Sequence, residues 1–210
     1  MRRALIGLPA TTLLLFGVSA VPALADPPAP PPLQTARTEL AALTVGTPHS
    51  MDGYARDKFD IWATQTDGCT TRQDVLARDG KDVQDKPDHC QPASGSWYSV
   101  YDDTTVTDVA QATIDHMVPL AEAWRSGANT WTAEQRKNFG NDLKDPQLLI
   151  ASESANSSKS DSGPAGWKPT NHAFWCTYAE DYTHIKSIWK LITSDKEKSA
   201  LSSMLDTCTN

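Results

Sequence analysis

Four residues in two short stretches carry types and spacings that can do chemistry. Asp115 and His116 sit in Ile114-Asp115-His116-Met117-Val118-Pro119, and Asn156 and Lys159 sit in the run QLLIASESANSSKSD at 147–161. Hydrolysis of a phosphodiester needs a base for the attacking water, a cation against the charge that builds on the phosphoryl oxygens, and stabilisation of the leaving oxygen. His116 suits the base, because an imidazole titrates near neutral pH. Asp115 is a hard oxygen donor for a divalent ion, Mg²⁺ first and Mn²⁺ as a substitute, and Asn156 offers a second oxygen through its amide carbonyl. Mg²⁺ keeps several waters and is bound by few protein groups, so two ligands suffice. Lys159 lies about one helical turn after Asn156, on the same helix face, where contact with phosphate is expected.

The elements around these residues must bring them together. Residues 95–102 (GSWYSVYD) are aromatic and β-prone, Asp102-Asp103 is a turn signal, and 104–114 resume β-branched residues. This predicts a hairpin whose second strand delivers Asp115 and His116 at its end. Pro119 then opens a helical stretch that Gly127 ends. Thr132-x-x-Gln135 has the form of a capping box and starts a helix to about Leu143, with Asp145-Pro146 as its stop. Residues 147–152 form a short apolar run bounded by turn residues, hence a strand, and Ser152 or Ser154 can cap a helix carrying Asn156 and Lys159. Leu33, Ala36, Leu40 and Leu43 recur at helical spacing, as do Tyr54, Phe59 and Trp62, and again Tyr178, Tyr182, Ile185, Ile188, Trp189 and Ile192. Ser194-x-x-Glu197 caps a last helix.

Residues 1–25 have the make-up of a secretory leader: Arg2-Arg3, an apolar run at 4–20 broken by Pro9 and Gly17, and Ala23-Leu24-Ala25 as an A-x-A cleavage site. Residues 26–48 read as a linker, DPPAPPP followed by a short helix, with the proline run as a tether. Residues 49–210 are expected to form one domain. No later stretch is long and apolar enough to span a bilayer. All four cysteines, Cys69, Cys90, Cys176 and Cys208, follow the leader, and none is in a C-x-x-C pair, which argues for two disulfides rather than zinc. Of three possible pairings, Cys69–Cys90 with Cys176–Cys208 is favoured because each closes a local loop. Loss of a leader with two arginines and no acid takes the net charge from -7 to about -9. That argues against a binder held on nucleic acid by a basic surface, but not against an enzyme that makes a few phosphate contacts beside a divalent cation. Three further residues are weaker site candidates: Arg72, in the loop between Cys69 and Cys90, for phosphate; Glu122, after Pro119, for orienting a water or an arginine; and Asp145.

A strand ending in DHxxP, a loop, a second short strand and a helix with N-x-x-K resembles the ββα-metal motif of HNH endonucleases. DHMVP followed by LLIASESANSSKSD is similar to the HNH domain of RNA-guided DNA nucleases. DGCTTRQDVLARD, DHMVPLAEAWRSGA and the late Trp-Lys-Pro and Cys-Thr-Tyr segments resemble secreted HNH endonuclease family proteins of actinobacterial type. The resemblance implies an α+β fold, mainly helical around a small ββα-metal motif, with His116 as general base and one divalent ion on Asp115 and Asn156. Lys159 matches the lysine that follows that Asn. The middle Asn of the motif is absent: Gln147 stands in its place, or Asn141 or Asp145 takes its role. The implied activity is secreted, metal-dependent cleavage of DNA with little sequence preference, with RNA left open as a second substrate. Two other readings stay open: a phosphodiesterase for another substrate, and a non-catalytic extracellular binding domain on the same fold.

Overall fold

The computed structural model describes residues 27–209, so the expected leader at 1–25 lies outside the described residues. The fold is α+β, with seven α-helices around two small antiparallel sheets among the described residues. One layer is helical: α1 (Leu33–Ala42), α6 (Trp175–Ile188) and α7 (Asp195–Leu205) pack on one another. Their shared face buries Ala36, Leu40, Tyr178, Tyr182, Ile185, Leu201, Met204 and Leu205, which is the helical periodicity of the sequence turned inward. The Cys176–Cys208 disulfide ties the start of α6 to the end of α7. Lys186, fully buried on α6, donates to the Glu197 carboxylate of α7, to Glu122 Oε1 (3.2 Å), to Ser126 Oγ (3.1 Å) and to the Ile192 carbonyl (2.8 Å). A buried ammonium is tolerated only with such a full set of acceptors.

The other layer holds the site. Helix α2 (Thr71–Asp79) opens on a complete capping box between Thr70 and Gln73 and leads into β1 (Gly80–Asp85). Strands β1, β2 (Pro92–Ser99) and β3 (Thr104–Val106) form one antiparallel sheet, with the Cys69–Cys90 disulfide at its edge. Strands β4 (Ala112–His116) and β5 (Leu148–Ser152) form the second sheet, pairing Ala112 with Ser152 and His116 with Leu148. A smaller core of Val75, Leu76, Trp97, Ile114, Leu148 and Ile150 joins α2 to both sheets. Between β4 and β5 run α3 (Leu120–Arg125), closed by Gly127 at φ 132°, and α4 (Ala133–Gly140), which carries the expected Thr132/Gln135 capping box. Helix α5 (Glu153–Lys159) follows β5 directly, with Ser152 as its N-cap.

Four expectations are corrected. The strand bearing Asp115 is not the second arm of the 95–102 hairpin, because β3 ends at Val106 and β4 starts a new sheet at Ala112. Asp108 causes the break: its Oδ1 accepts from the Ala110 amide (2.9 Å) and its carbonyl from the Gln111 and Ala112 amides, which diverts them from a ladder. The stripe of Tyr54, Phe59 and Trp62 is only a 3-10 turn, Arg56–Phe59, since Asp60 and Trp62 take left-handed φ values of 42° and 63°. Helix α4 stops at Gly140 rather than near Leu143. The proline run is no free tether: Pro27, Pro28 and Pro30 border a cavity of about 410 Å³ whose other walls include Met117, Leu148, Phe174 and Asp181.

Asp181 faces that cavity nearly buried, its Oδ1 without a hydrogen-bond partner among the described residues, and burial, with Glu180 as a lesser cause, pushes its pKa well above the usual carboxylate range. A carboxyl whose pKa is raised by folding favours the fold at low pH and loses that advantage as pH rises above the unfolded value toward the folded one. Asp181→Asn is therefore expected to raise the melting temperature at pH 7 and to change it little at pH 4, as read by thermal unfolding at the two pH values.

Candidate active site

The spacing of the four residues follows from element geometry. Ser152 pairs with Ala112, and α5 turns back there to run along β4 toward its end. Seven residues of helix advance roughly 10 Å, and three residues of strand advance about the same, so Lys159 arrives beside Asp115. Asn156, four residues into the helix, arrives beside Thr113, and its Nδ2 donates to Thr113 Oγ1 at 3.0 Å. That hydroxyl itself donates to the Ala151 carbonyl (2.8 Å), so it must accept from Asn156, which leaves the side-chain Asn156 Oδ1 turned away and, among the described residues, without a donor. Thr113 and Asp115 lie on one face of β4 by the two-residue period, so the amide and the carboxylate are neighbours.

Asp115 is held tightly. Its Oδ2 accepts from Lys159 Nζ at 2.5 Å and from the Tyr101 hydroxyl at 2.7 Å. Lys159 also donates to the His116 carbonyl at 2.8 Å and has no exposed surface. Burial lowers the Lys159 pKa, and the facing Asp115 carboxylate opposes that shift. Among the described residues Asp115 Oδ1 accepts no hydrogen bond, and it is not one of their enclosed unpartnered atoms, so it opens onto the cavity that Asp115 lines. This corrects the expected role of Lys159: a completely enclosed ammonium cannot touch a substrate phosphate, and it acts by orienting Asp115 and the end of β4.

His116 faces the other way. Its Nε2 lies 2.9 Å from the Gly140 carbonyl, and because a carbonyl only accepts, Nε2 carries the proton and Nδ1 the lone pair. The ring packs near Trp62, with centroids 5.6 Å apart. Burial lowers the imidazole pKa to about 3, with the charges of Arg56 and Lys159 acting in the same direction and the bond to Gly140 against it. The ring is therefore neutral at pH 7, with a lone pair available. Gly140 must be glycine, since a Cβ there would come within 2.8 Å of Ile61 Cγ2 and 3.1 Å of the Phe59 carbonyl.

Two residues share the loop-holding work left open by the missing middle Asn. Gln147, fully buried, accepts from the Val118 amide (3.1 Å) and donates to the Val118 carbonyl (3.0 Å), clamping the chain two residues past His116. Asn141 accepts from the Ala63 amide (2.9 Å) and the Thr71 hydroxyl (2.7 Å) and donates to the Asp60 and Lys137 carbonyls, fixing the segment behind Gly140. Asp145 does neither: its carboxylate faces His184 at 3.8 Å.

Asp115, His116 and Asn156 line one cavity of about 360 Å³, with Tyr54, Arg56, Glu153 and Asp161 on its walls. Arg56 is the residue that sequence reasoning missed; it stands 60 positions before its spatial neighbour His116, and no local motif marks it. The weaker candidates stay away from this cavity. Arg72 donates to the Ala112 carbonyl (3.1 Å) and borders a different hollow, and Glu122 belongs to the Lys186 network. The donor set of Asp115 Oδ1 and Asn156 Oδ1 fits a hard divalent ion that keeps most of its waters. Among the described residues, the groupings of three potential ligands lie elsewhere, at Cys176/Glu180/Cys208 and Asp67/Cys69/Asp74, and both include disulfide sulfurs, which are not thiolate ligands.

Residues 70–204 match the family described as GmrSD restriction endonucleases, C-terminal domain. An uncharacterized secreted protein of Arthroderma benhamiae is 46% identical over 197 residues, which cover 91% of this chain and 96% of that protein. No solved structure matches.

Removing one member of a buried ion pair leaves the other uncompensated, at roughly 3–5 kcal/mol. Lys159→Met is expected to lose about that much in urea unfolding, and Lys159→Met combined with Asp115→Leu to recover most of it. A double variant no more stable than the single one would show that the pair does not determine local stability.

Proposed function

We propose that this chain, which belongs to the family of the GmrSD restriction endonuclease C-terminal domain, is a secreted, metal-dependent endonuclease of the HNH type. Its proposed substrate is the phosphodiester bonds of DNA, cleaved with little sequence preference, and RNA is the second polymer to assay. The observation that carries this reading is the protonation pattern around His116. With Nε2–H committed to the Gly140 carbonyl, the Nδ1 lone pair is left for a proton, in the cavity that also takes in Asp115 and Asn156. Export is supported by the leader-like residues 1–25, by two disulfides and by the secreted fungal relative.

In the proposed reaction a water oxygen bonds to phosphorus while the bond to the leaving oxygen breaks. Nδ1 of His116 takes the proton of the attacking water, and the leaving oxygen is protonated from solvent. Asp115 and Asn156 would hold the divalent ion, Mg²⁺ first by the hardness of its donors, which when bound supplies positive charge against the transition state. Lys159 and Tyr101 hold the Asp115 carboxylate through Oδ2, turned so that Oδ1 remains free for that ion. Gly140 keeps the imidazole in the tautomer a base requires.

His116→Ala is expected to reduce plasmid nicking by roughly 10²- to 10⁴-fold, the usual worth of a positioned base. The assay compares wild type and variant on plasmid and on RNA with Mg²⁺, with Mn²⁺ and with EDTA. Full activity in EDTA would remove the metal from the reading, and unchanged activity in the variant would remove His116 as the base.

A further inference from the structure

Among the described residues, the cavity wall carries one cation that has no partner in the fold. Arg56 lines it beside His116, Asp115 and Asn156 and is exposed, and among the described residues its guanidinium has no hydrogen-bond or ion-pair partner. The other cations nearby are committed. Lys159 is enclosed on Asp115, Arg125 is spread over Glu122 and Asp161, and Lys58 donates to the Gly53 carbonyl.

Its position is also fixed relative to the base. Arg56 begins the 3-10 turn Arg56–Phe59, and Phe59 anchors that turn in the core against Phe139 and Tyr54, with ring centroids 6.1 and 6.5 Å away. The carbonyl of Asp60, which ends the turn, accepts from Asn141 Nδ2 at 2.9 Å. Asn141 directly follows Gly140, whose carbonyl holds the His116 ring. One dipeptide, Gly140-Asn141, thus sets both the imidazole and the turn that carries the guanidinium.

We propose that Arg56 is the phosphate-contacting cation of this site, a catalytic residue that donates to the non-bridging oxygens of the scissile phosphate while His116 acts on the water. The assignment rests on the phosphodiesterase reading given above. A guanidinium matches phosphate in a fixed, planar fork and stays charged at every working pH. It takes the role that the buried Lys159 cannot fill. Arg56 also precedes the matched segment 70–204, so the site draws a functional group from the residues in front of that segment.

The test compares the wild-type chain with Arg56→Gln, Arg56→Lys and His116→Ala in plasmid nicking with Mg²⁺ between about 50 and about 200 mM salt, a range over which phosphate contacts change affinity steeply. Arg56→Gln is expected to lower kcat/KM by about 100-fold, the scale for one transition-state donor. Its log–log salt dependence should become shallower by about 0.9, the share of one phosphate contact. Arg56→Lys should recover part of the rate, since it restores the charge without the fork. The melting temperature of Arg56→Gln should match wild type, because an exposed and unpaired side chain contributes little to the fold. Wild-type rate and salt slope in Arg56→Gln, with His116→Ala inactive, would overturn the Arg56 assignment and leave the nuclease reading in place. A wild type that cuts no nucleic acid would overturn both.

Discussion

The buried ion pair between Asp115 and Lys159 is the constraint on which the rest of this structure depends. Moving either charge out of water carries a penalty of several kcal/mol, so neither position is viable without the other. Their contact requires α5 to lie along β4 at a definite register, and that register brings Asn156 onto Thr113. The third partner, Tyr101, extends the constraint into the helical layer. Its ring packs against Trp167, Phe174 and Tyr178, while its carbonyl accepts from the Asn171 amide at 2.9 Å. One carboxylate oxygen thus joins the small sheet, the helix behind it and the larger helical core.

The second half of the site is built independently, on the opposite face of the same strand. His116 is the next residue after Asp115, so the pleat sends its side chain toward Gly140 and Trp62 rather than toward α5. The two halves share a cavity because β4 ends there. The chain beyond His116 is pinned by Gln147 on Val118, and the facing segment is pinned by Asn141. Two amide side chains therefore bracket the imidazole, the buried Gln147 through the strand pair and the half-buried Asn141 through the turn that follows α4.

Much of this was legible in the sequence where the signals are local. The Thr132/Gln135 capping box, the Ser152 cap, the apolar run of β5 and the periodicity of α6 and α7 each report on a few consecutive residues, and each element formed. The disulfide pairing was legible because each bond closes a short loop. The fate of Lys159 was not legible. Its helical spacing from Asn156 places both residues on one face, but spacing does not say that this face meets a carboxylate on a strand rather than solvent. The strand break at Asp108 was hidden for a related reason: β-branched residues continue on both sides, and only the competing Asx hydrogen bonds decide it. Arg56 was obscured by its company, since Tyr54, Phe59 and Trp62 read as a packing stripe, and Phe59 is fully buried.

Burial of the lysine also changes the meaning of the chain's acidity. An acidic protein with a free lysine at its centre would carry part of the positive charge needed for a phosphoryl group on its own helix. Here that charge is neutralised by Asp115 inside the fold, and Glu153 and Asp161 add negative charge to the cavity wall. A phosphodiester entering such a site meets repulsion unless cations are supplied on the open side. In the proposed reaction they come from a divalent ion on the free oxygens of Asp115 and Asn156 and from a guanidinium carried by the preceding segment. Both act at the cavity rather than over the surface. Attraction of that kind is short-ranged under physiological salt, where the Debye length is about 8 Å. It favours the phosphate already in the site over the polyanion at a distance, which suits the proposed reaction, in which a long substrate is released after each cut.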